Sequence, residues 1–454
     1  MQIDRALFEK LAAYPHVVVS WIGDDGFPMQ TAAAFRADAE RLEVRIEPTG
    51  VSLPTDREVN VTVSHIRPQP GTGYDQRRYI CLWGRLADLG DAFTLKPRRA
   101  WGWDEHETPF FEYVERSNPI AMEYLSKLSV ERGVEVKPKL SRFWTFLVAT
   151  RLPFLTATIV PILLGTAVAA YDGYFSWWLA ILTLVGGMAV HIGLNVANDI
   201  FDALSGADEA NVSPTQYSGG SRVIQRGLVT LRQMSLISIV AYTVAIGIGL
   251  YLVIARSSVE LFVIGVVGVF LSVFYTAPPF RLVHRGLGEV TTALGFGPVM
   301  VLGAYVVQAE KLSGEAFVAS IPVAILIALI LYVNEIPDRS SDATVGKRTL
   351  PVRFGKALIT QGFLVAALSA FAVIAIGALT GLLPTPTLLA LLALPIAFKV
   401  YDGIRDHYDR PYDLMATMGK NVQLHLVTGL LLFAGYLIAV IADKVSDSPP
   451  GILS

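Results

Sequence analysis

From Phe143 to Ala442 the chain alternates apolar runs of roughly membrane-spanning length with short polar loops. No water-soluble fold accommodates such a succession. A backbone that crosses lipid must satisfy its own hydrogen bonds, so the runs read as helices of one bundle. Spans are expected at about 146–170, 176–198, 234–255, 259–277, 287–308, 316–335, 357–379, 385–401 and 422–442, nine in all. The loops after the second, fourth, sixth and eighth carry the positive charge, among them Arg222, Arg226, Arg281, Arg285, Lys347, Arg353, Arg405 and Lys420. The opposite loops carry little beyond Arg256 and Lys311. The positive-inside bias therefore puts the basic loops, and the N-terminal residues with them, on the cytoplasmic side of a bacterial or archaeal membrane.

Residues 1–133 have a different texture. A short amphipathic helix is expected over Arg5–Tyr14, then strands near His16–Gly23, Met29–Phe35, Leu42–Ile46, Val59–Val63 and Tyr79–Leu86, with Asp24-Asp25-Gly26 as a hairpin turn. This spacing predicts a small soluble β-barrel with flanking helices, closed by a helix over Asn118–Gly133. Residues 134–142 read as a linker, 143–443 as the membrane domain, and 444–454 as a disordered tail. The N-terminal residues lack the apolar core of a secretory signal. A single cysteine, Cys81, excludes an internal disulfide framework and an intrachain thiolate metal site. A net charge of -2, with no basic patch interleaved with aromatics, gives no support to nucleic-acid binding. The strand, D-G-x-P turn, strand order with a later Gly84-Arg85-Leu86 resembles the split-barrel flavin-binding domains of the pyridoxamine-phosphate-oxidase type. That resemblance implies FMN as a candidate cofactor, although Arg57, Arg77 and Arg78 read equally well as solvated charges and no cofactor-binding residue is assigned. The alternative is a cofactor-free module for homodimerisation or docking.

The chemistry concentrates in two polar clusters at the ends of apolar runs. The first is Asn195-Val-Ala-Asn198-Asp199-Ile-Phe-Asp202, followed by Asp208; helical periodicity puts Asn195, Asn198, Asp199 and Asp202 on one face. The second contains Asn334, Asp338 and Asp342, stepping by four, then Gly346-Lys347-Arg348-Thr349-Leu350. One acid at a membrane boundary reads as a stop signal. Two stripes on the same predicted side read as a site, because charge at the edge of lipid demands partners. Oxygen ligands facing one another suit Mg²⁺, which is commonly held by one or two carboxylates together with substrate phosphates.

These motifs, with Tyr275-Thr-Ala-Pro-Pro279, resemble the UbiA-type intramembrane prenyltransferases over residues 143–443. The resemblance implies an all-α membrane bundle of nine helices in which Mg²⁺ bridges the acidic motifs to a polyprenyl diphosphate. Matched position by position, it implies metal-binding roles for Asn198, Asp199, Asp202, Asp208, Asp338 and Asp342, with Asp199, Asp202, Asp338 and Asp342 central to catalysis. The segments Tyr217-Ser-Gly-Gly-Ser-Arg222, Arg285-Gly-Leu-Gly-Glu289 and Leu302-Gly-Ala-Tyr305 are similar to those of the menaquinone-branch 1,4-dihydroxy-2-naphthoate polyprenyltransferases. That branch implies an aromatic acid acceptor and loss of CO2. Asn195, Asn334, Lys347, Arg222, Arg348 and Arg281 are candidates for substrate contact, and Tyr275 and Tyr305 for the developing carbocation. His191 reads as a hydrogen-bonded core residue. Another quinone precursor, a glycerol-phosphate lipid acceptor, a terpene cyclase and a cation-coupled transporter stay open as alternatives.

Overall fold

A computed structural model describes all residues except 48, 69–73, 139, 212–213 and 447–454. The expected tail over 444–454 therefore falls outside the described residues from 447 onward. The chain divides into two compact units, Met1–Ser117 and Asn118–Ser454.

In the first unit, helix α1 (Arg5–Leu11) starts at Asp4, whose side chain accepts a hydrogen bond from the Leu7 amide. It buries Leu7, Phe8 and Leu11. Eight strands follow: β1 (Val17–Ile22), β2 (Pro28–Ala33), β3 (Phe35–Asp38), β4 (Glu43–Ile46), β5 (Glu58–Pro68), β6 (Tyr74–Asp88), β7 (Phe93–Leu95) and β8 (Arg99–Asp104). They form a curled sheet in the order β2-β1-β5-β6-β7-β4-β3, with β8 against β6. The period of two puts Val59, Val61 and Val63 of β5 beside Ile80 and Leu82 of β6 in one apolar core. The β1–β2 hairpin turns at Gly26, whose φ of 79° is left-handed. At 15 residues, β6 is long enough to pair with β8 through Arg78–Trp83 and with β7 through Leu86–Asp88. Gly84 stands at the changeover, where a side chain would run into Leu95 and the Lys96 carbonyl.

Helix α2 (Phe110–Arg132) follows the sheet, then α3 (Arg142–Ala149). Among the described residues of the second unit, seven helices are long and apolar enough to cross a membrane. They are α5 (Trp177–Ser205), α6 (Leu231–Arg256), α8 (Gly288–Ala309), α9 (Gly314–Thr344), α10 (Lys356–Leu379), α11 (Thr385–His407) and α12 (Pro411–Asp443). The other two expected spans are shorter apolar helices of 16 residues each, α4 (Thr156–Tyr171) and α7 (Val259–Phe274), each about 24 Å long at 1.5 Å per residue. The first of these starts ten residues later than expected because Arg151 takes a left-handed conformation, φ 51°, and breaks the chain between α3 and α4. Helix α9 runs through the middle of the bundle and buries most of its length.

Lipid gives apolar helices little reason to leave it for one another, so close backbone approach supplies the cohesion. Gly165 of α4 packs where any side chain would collide with the Val301 carbonyl of α8. Gly429 of α12 meets Val160 of α4 in the same manner.

Candidate active site

Both acidic motifs lie inside their helices rather than past the ends. Asparagine and aspartate are tolerated in the last turns of a helix, so α5 continues to Ser205, and Gly206 (φ 76°) ends it. Helix α9 likewise continues through Asp342 to Thr344. After Gly346 (φ 77°) the chain folds back, and the Lys347 amide donates to the Asp342 carbonyl at 2.9 Å. This return is what aims the Lys347 side chain between the helices.

Lys347 Nζ donates to Asp202 Oδ1 at 2.9 Å and lies 3.7 Å from Asp342 Oδ1. One ammonium thus joins a carboxylate of each motif. Burial alone would lower the Lys347 pKa, but the Asp202 and Asp342 carboxylates outweigh it and hold the pKa above the ordinary lysine value. Asn198 Nδ2 donates to Asp202 Oδ2 at 3.1 Å, so the other oxygen of that carboxylate is also oriented.

Asn211 and the turn Gly219–Ser221 strap the two motifs together. Asn211 Nδ2 donates to Asp338 Oδ1 at 2.8 Å and the Gly219 amide donates to Asp338 Oδ2 at 3.1 Å. Two residues on, the Ser221 amide donates to Asp199 Oδ2 at 3.2 Å. Asp199 Oδ1 has no hydrogen-bond partner among the described residues, and Arg151 Nε lies 4.0 Å from it. Asp208, on the single turn Ala207–Ala210, accepts from Gln225 Nε2 at 3.0 Å. Burial pushes its carboxyl up to about 7, and Asp202 and Asp199 nearby push in the same direction.

These groups surround the polar end of a cavity of about 820 Å³. Asn195, Asn198, Asp202, Asp208, Tyr275, Asn334, Asp338, Asp342 and Lys347 all line it. Its other walls are apolar and glycine-rich, with Thr183, Gly186 and Gly187 of α5, Gly249 and Leu252 of α6, and Leu261 and Gly265 of α7. From Asp202 back to Thr183 the cavity follows α5 for about 28 Å at 1.5 Å per residue. Leu250, Phe262 and Val266 line it while remaining exposed on the outer face of the helices, so it reaches the surface that lipid would cover.

Several expected residues stand elsewhere. Tyr305 is buried and hydrogen-bonds to Asp172 in the turn before α5, at the opposite end of that helix from the acids. It does not line the cavity, so a role beside a carbocation there does not fit its position. Arg222, Arg281 and Arg348 are also absent from the wall; the Arg222 guanidinium donates to the Asp208 carbonyl. Asp199 lies behind the wall, engaged by Ser221. His191 is buried and bonded to Thr158 Oγ1 at 2.7 Å. Conversely, Arg151, Asn211, Gly219, Gly220 and Glu335 line the cavity without having been expected. Arg151 had a signal: it is the lone charge in the apolar stretch from Phe143 to Tyr171.

The donor set around the polar end is all oxygen, which suits a hard divalent cation. Among the described residues no three acidic, histidine or cysteine side chains are close enough to hold an ion by themselves. Mg²⁺ does not need them to be, since substrate phosphates and water complete its shell.

The N-terminal unit has a smaller cavity, about 450 Å³, bordered by Tyr14, Arg78, Tyr79, Trp101, Trp103 and Tyr113. Lys10 and Arg116 also border it, and of the three arginines the sequence raised as phosphate candidates only Arg78 does. Arg57 is engaged by Asp24 and Asp56 and Arg77 by Glu105, leaving Arg78 alone of the three on the wall.

The model of the UbiA prenyltransferase family matches residues 158–441. The chain is 30% identical to a 2-carboxy-1,4-naphthoquinone phytyltransferase of Synechocystis, over 66% of this chain and 94% of that protein. It is 29% identical to a 1,4-dihydroxy-2-naphthoate octaprenyltransferase of Bacillus subtilis, over 64% and 91%. A solved UbiA homologue from Archaeoglobus fulgidus, bound to GPP and Mg²⁺, is 15% identical and covers 64% of this chain and 99% of its own, with a TM-score of 0.46.

Proposed function

This chain belongs to the UbiA prenyltransferase family and is an integral membrane prenyltransferase, and from that premise we propose that it transfers a polyprenyl group from its diphosphate to 1,4-dihydroxy-2-naphthoate, with loss of CO2, in the formation of a menaquinone-type lipid. The acceptor follows the relatives, which act on naphthoate or naphthoquinone acids. The observation that carries the reading is the Lys347 ammonium held between Asp202 and Asp342 at the polar mouth of a long apolar cavity. A prenyl diphosphate has the same division into a compact polyanion and an apolar chain.

Asp202, Asp208, Asp338 and Asp342, with Asn198, would hold Mg²⁺. When bound, Mg²⁺ supplies positive charge that stabilises the departing diphosphate. The chain's own residues do the rest. Lys347 and Arg151 add fixed cationic charge where the allylic C–O bond breaks and negative charge grows. Asn195 Nδ2, buried without a partner among the described residues, is free to donate to a phosphate oxygen. Tyr275 lines the same wall, and its ring is the aromatic group we assign to the carbon that becomes electron-poor. The apolar walls keep water away from that carbon until the acceptor ring attacks it. The new C–C bond forms at the carboxyl-bearing ring carbon, and departure of CO2 returns its bonding pair to the ring.

We place the acidic end and its basic loops on the cytoplasmic side, from the charge difference between the two sets of loops. Membranes containing the protein, supplied with Mg²⁺, a polyprenyl diphosphate and the naphthoate, should yield a decarboxylated prenyl-naphthoquinol by mass. Release of diphosphate without that product would reject the acceptor while keeping the donor site.

A further inference from the structure

The donor site leaves one part of the cavity wall without a task. Glu335 of α9 lines the cavity, is 6% exposed, and its Oε2 has no hydrogen-bond partner among the described residues. Glu289 of α8 lies beside it, also buried, and the two carboxyl groups are close enough to pair when one carries a proton; the Glu289 Oε1 has no other partner among the described residues. Next to Glu335 on the chain, the Asn334 side chain lines the same cavity and its Oδ1 is unpartnered too. Tyr275 lies near both glutamates and near Asp202, so this wall adjoins the place where the allylic carbon would sit.

Buried oxygens without donors are costly to a protein, and a cavity that keeps them is matched to a ligand that brings donors. The prenyl donor brings none, since its tail is hydrocarbon and its head is an anion rich in acceptor oxygens. A hydroxylated aromatic ring brings O–H groups. We propose that Glu335, backed by Glu289, accepts a hydroxyl hydrogen of the aromatic acceptor and so holds its ring beside Tyr275, against the allylic carbon. This rests on the prenyl-transfer reading and adds the subsite that reading lacks: Glu335 and Asn334 select acceptors carrying hydroxyl groups, apart from the carboxylates that serve the diphosphate.

The test uses the full-length protein in membranes and the variant E335M, with KM measured separately for donor and acceptor. The two monohydroxy analogues, 1-hydroxy-2-naphthoate and 4-hydroxy-2-naphthoate, serve as competitive inhibitors against the acceptor. The proposal predicts that E335M raises the acceptor KM about tenfold or more, the size of one buried hydrogen bond to a carboxyl group. The donor KM stays within about twofold, and the penalty disappears for the analogue lacking the hydroxyl that Glu335 receives. An unchanged acceptor KM, or an equal penalty on donor, acceptor and both analogues, overturns it. If E335M does not fold, E335Q keeps the size and one carbonyl oxygen; it should raise the acceptor KM less, and no rise overturns the proposal. Failure of the native protein to prenylate the naphthoate would instead contradict the function itself.

Discussion

At the scale of single residues, Lys347 shares its charge between Asp202 and Asp342, while Asp338 is held by neutral donors. Asp202 is bonded by Lys347 and Asn198, and Asp338 by Asn211 and the Gly219 amide. Replacing either acid by the isosteric amide removes the charge, and with it the proposed metal-binding capacity, while preserving volume. Asp202→Asn and Asp338→Asn should each lower turnover by about 10²–10³-fold, in line with the loss of one preorganised electrostatic group. Thermal unfolding monitored in the same detergent should change by only a few degrees. Near-native turnover in either variant would mean the two motifs do not share one site. Lys347→Met should behave differently, because it leaves two buried carboxylates facing each other without their cation. Its melting temperature should fall clearly in the absence of Mg²⁺ and recover in part when Mg²⁺ is added. Equal melting of native protein and variant under both conditions would contradict the ion-pair role.

At the scale of elements the loop between α5 and α6 matters as much as the helices it joins. Gly219 and Gly220 have φ of 73° and 74°, and a side chain at Gly220 would meet the Asp208 carboxylate. Gly220→Ala should therefore cost about 1–2 kcal/mol of local strain and disturb Asp208, read as a raised KM for the diphosphate with the bundle still folded. A Gly220→Ala protein with native kinetics would show that the strap is incidental. The apolar end has its own test in Gly265 of α7, which lines the cavity with open space beside it. Gly265→Phe should shift the preferred donor toward shorter prenyl chains, measured by competing donors of two, four and eight isoprene units. An unaltered preference would mean that the tail leaves the cavity before reaching this residue.

The helical periodicity of Asn195, Asn198, Asp199 and Asp202 and the four-residue steps of Asn334, Asp338 and Asp342 were enough to put both stripes on helix faces, and the structure brings all of them except Asp199 to the wall of one cavity. Periodicity could not say where α5 and α9 end, because Asn and Asp are compatible with a last helical turn and the stops depend on Gly206 and on the turn at Val345 and Gly346. Nor could it predict that Tyr305 would be turned toward Asp172, since a tyrosine in an apolar run looks the same at either end of a span. The strap was legible only as the segment Tyr217–Arg222, with no sign that its amides reach Asp199 and Asp338. In the N-terminal unit, β3, β7 and β8 were not expected as strands: Phe35–Asp38 and Phe93–Leu95 are too short to show alternation, and Arg99–Asp104 sets Arg99, Trp101 and Trp103 against Ala100, Gly102 and Asp104 without a β-branched residue.

At the scale of the molecule, two units with separate apolar cores make two separable claims. Phe8 is 1% exposed in the core of the first unit, so Phe8→Ala should destabilise that unit by about 3–5 kcal/mol. Prenyl transfer, for which every proposed site residue lies in the second unit, should continue in that variant and in protein lacking residues 1–117. Loss of activity in a truncated protein whose membrane unit still melts cooperatively would show that the units are coupled. The central claim, that both acidic motifs and Lys347 serve one prenyl-transfer site, is tested most directly by a mass-resolved assay of membranes containing native or Asp202→Asn protein, with Mg²⁺, a polyprenyl diphosphate and 1,4-dihydroxy-2-naphthoate. Native membranes should form the decarboxylated prenyl-naphthoquinol, and Asp202→Asn membranes should form about a hundredth as much or less. Equal product from the two, or none from a folded native protein, would contradict the claim.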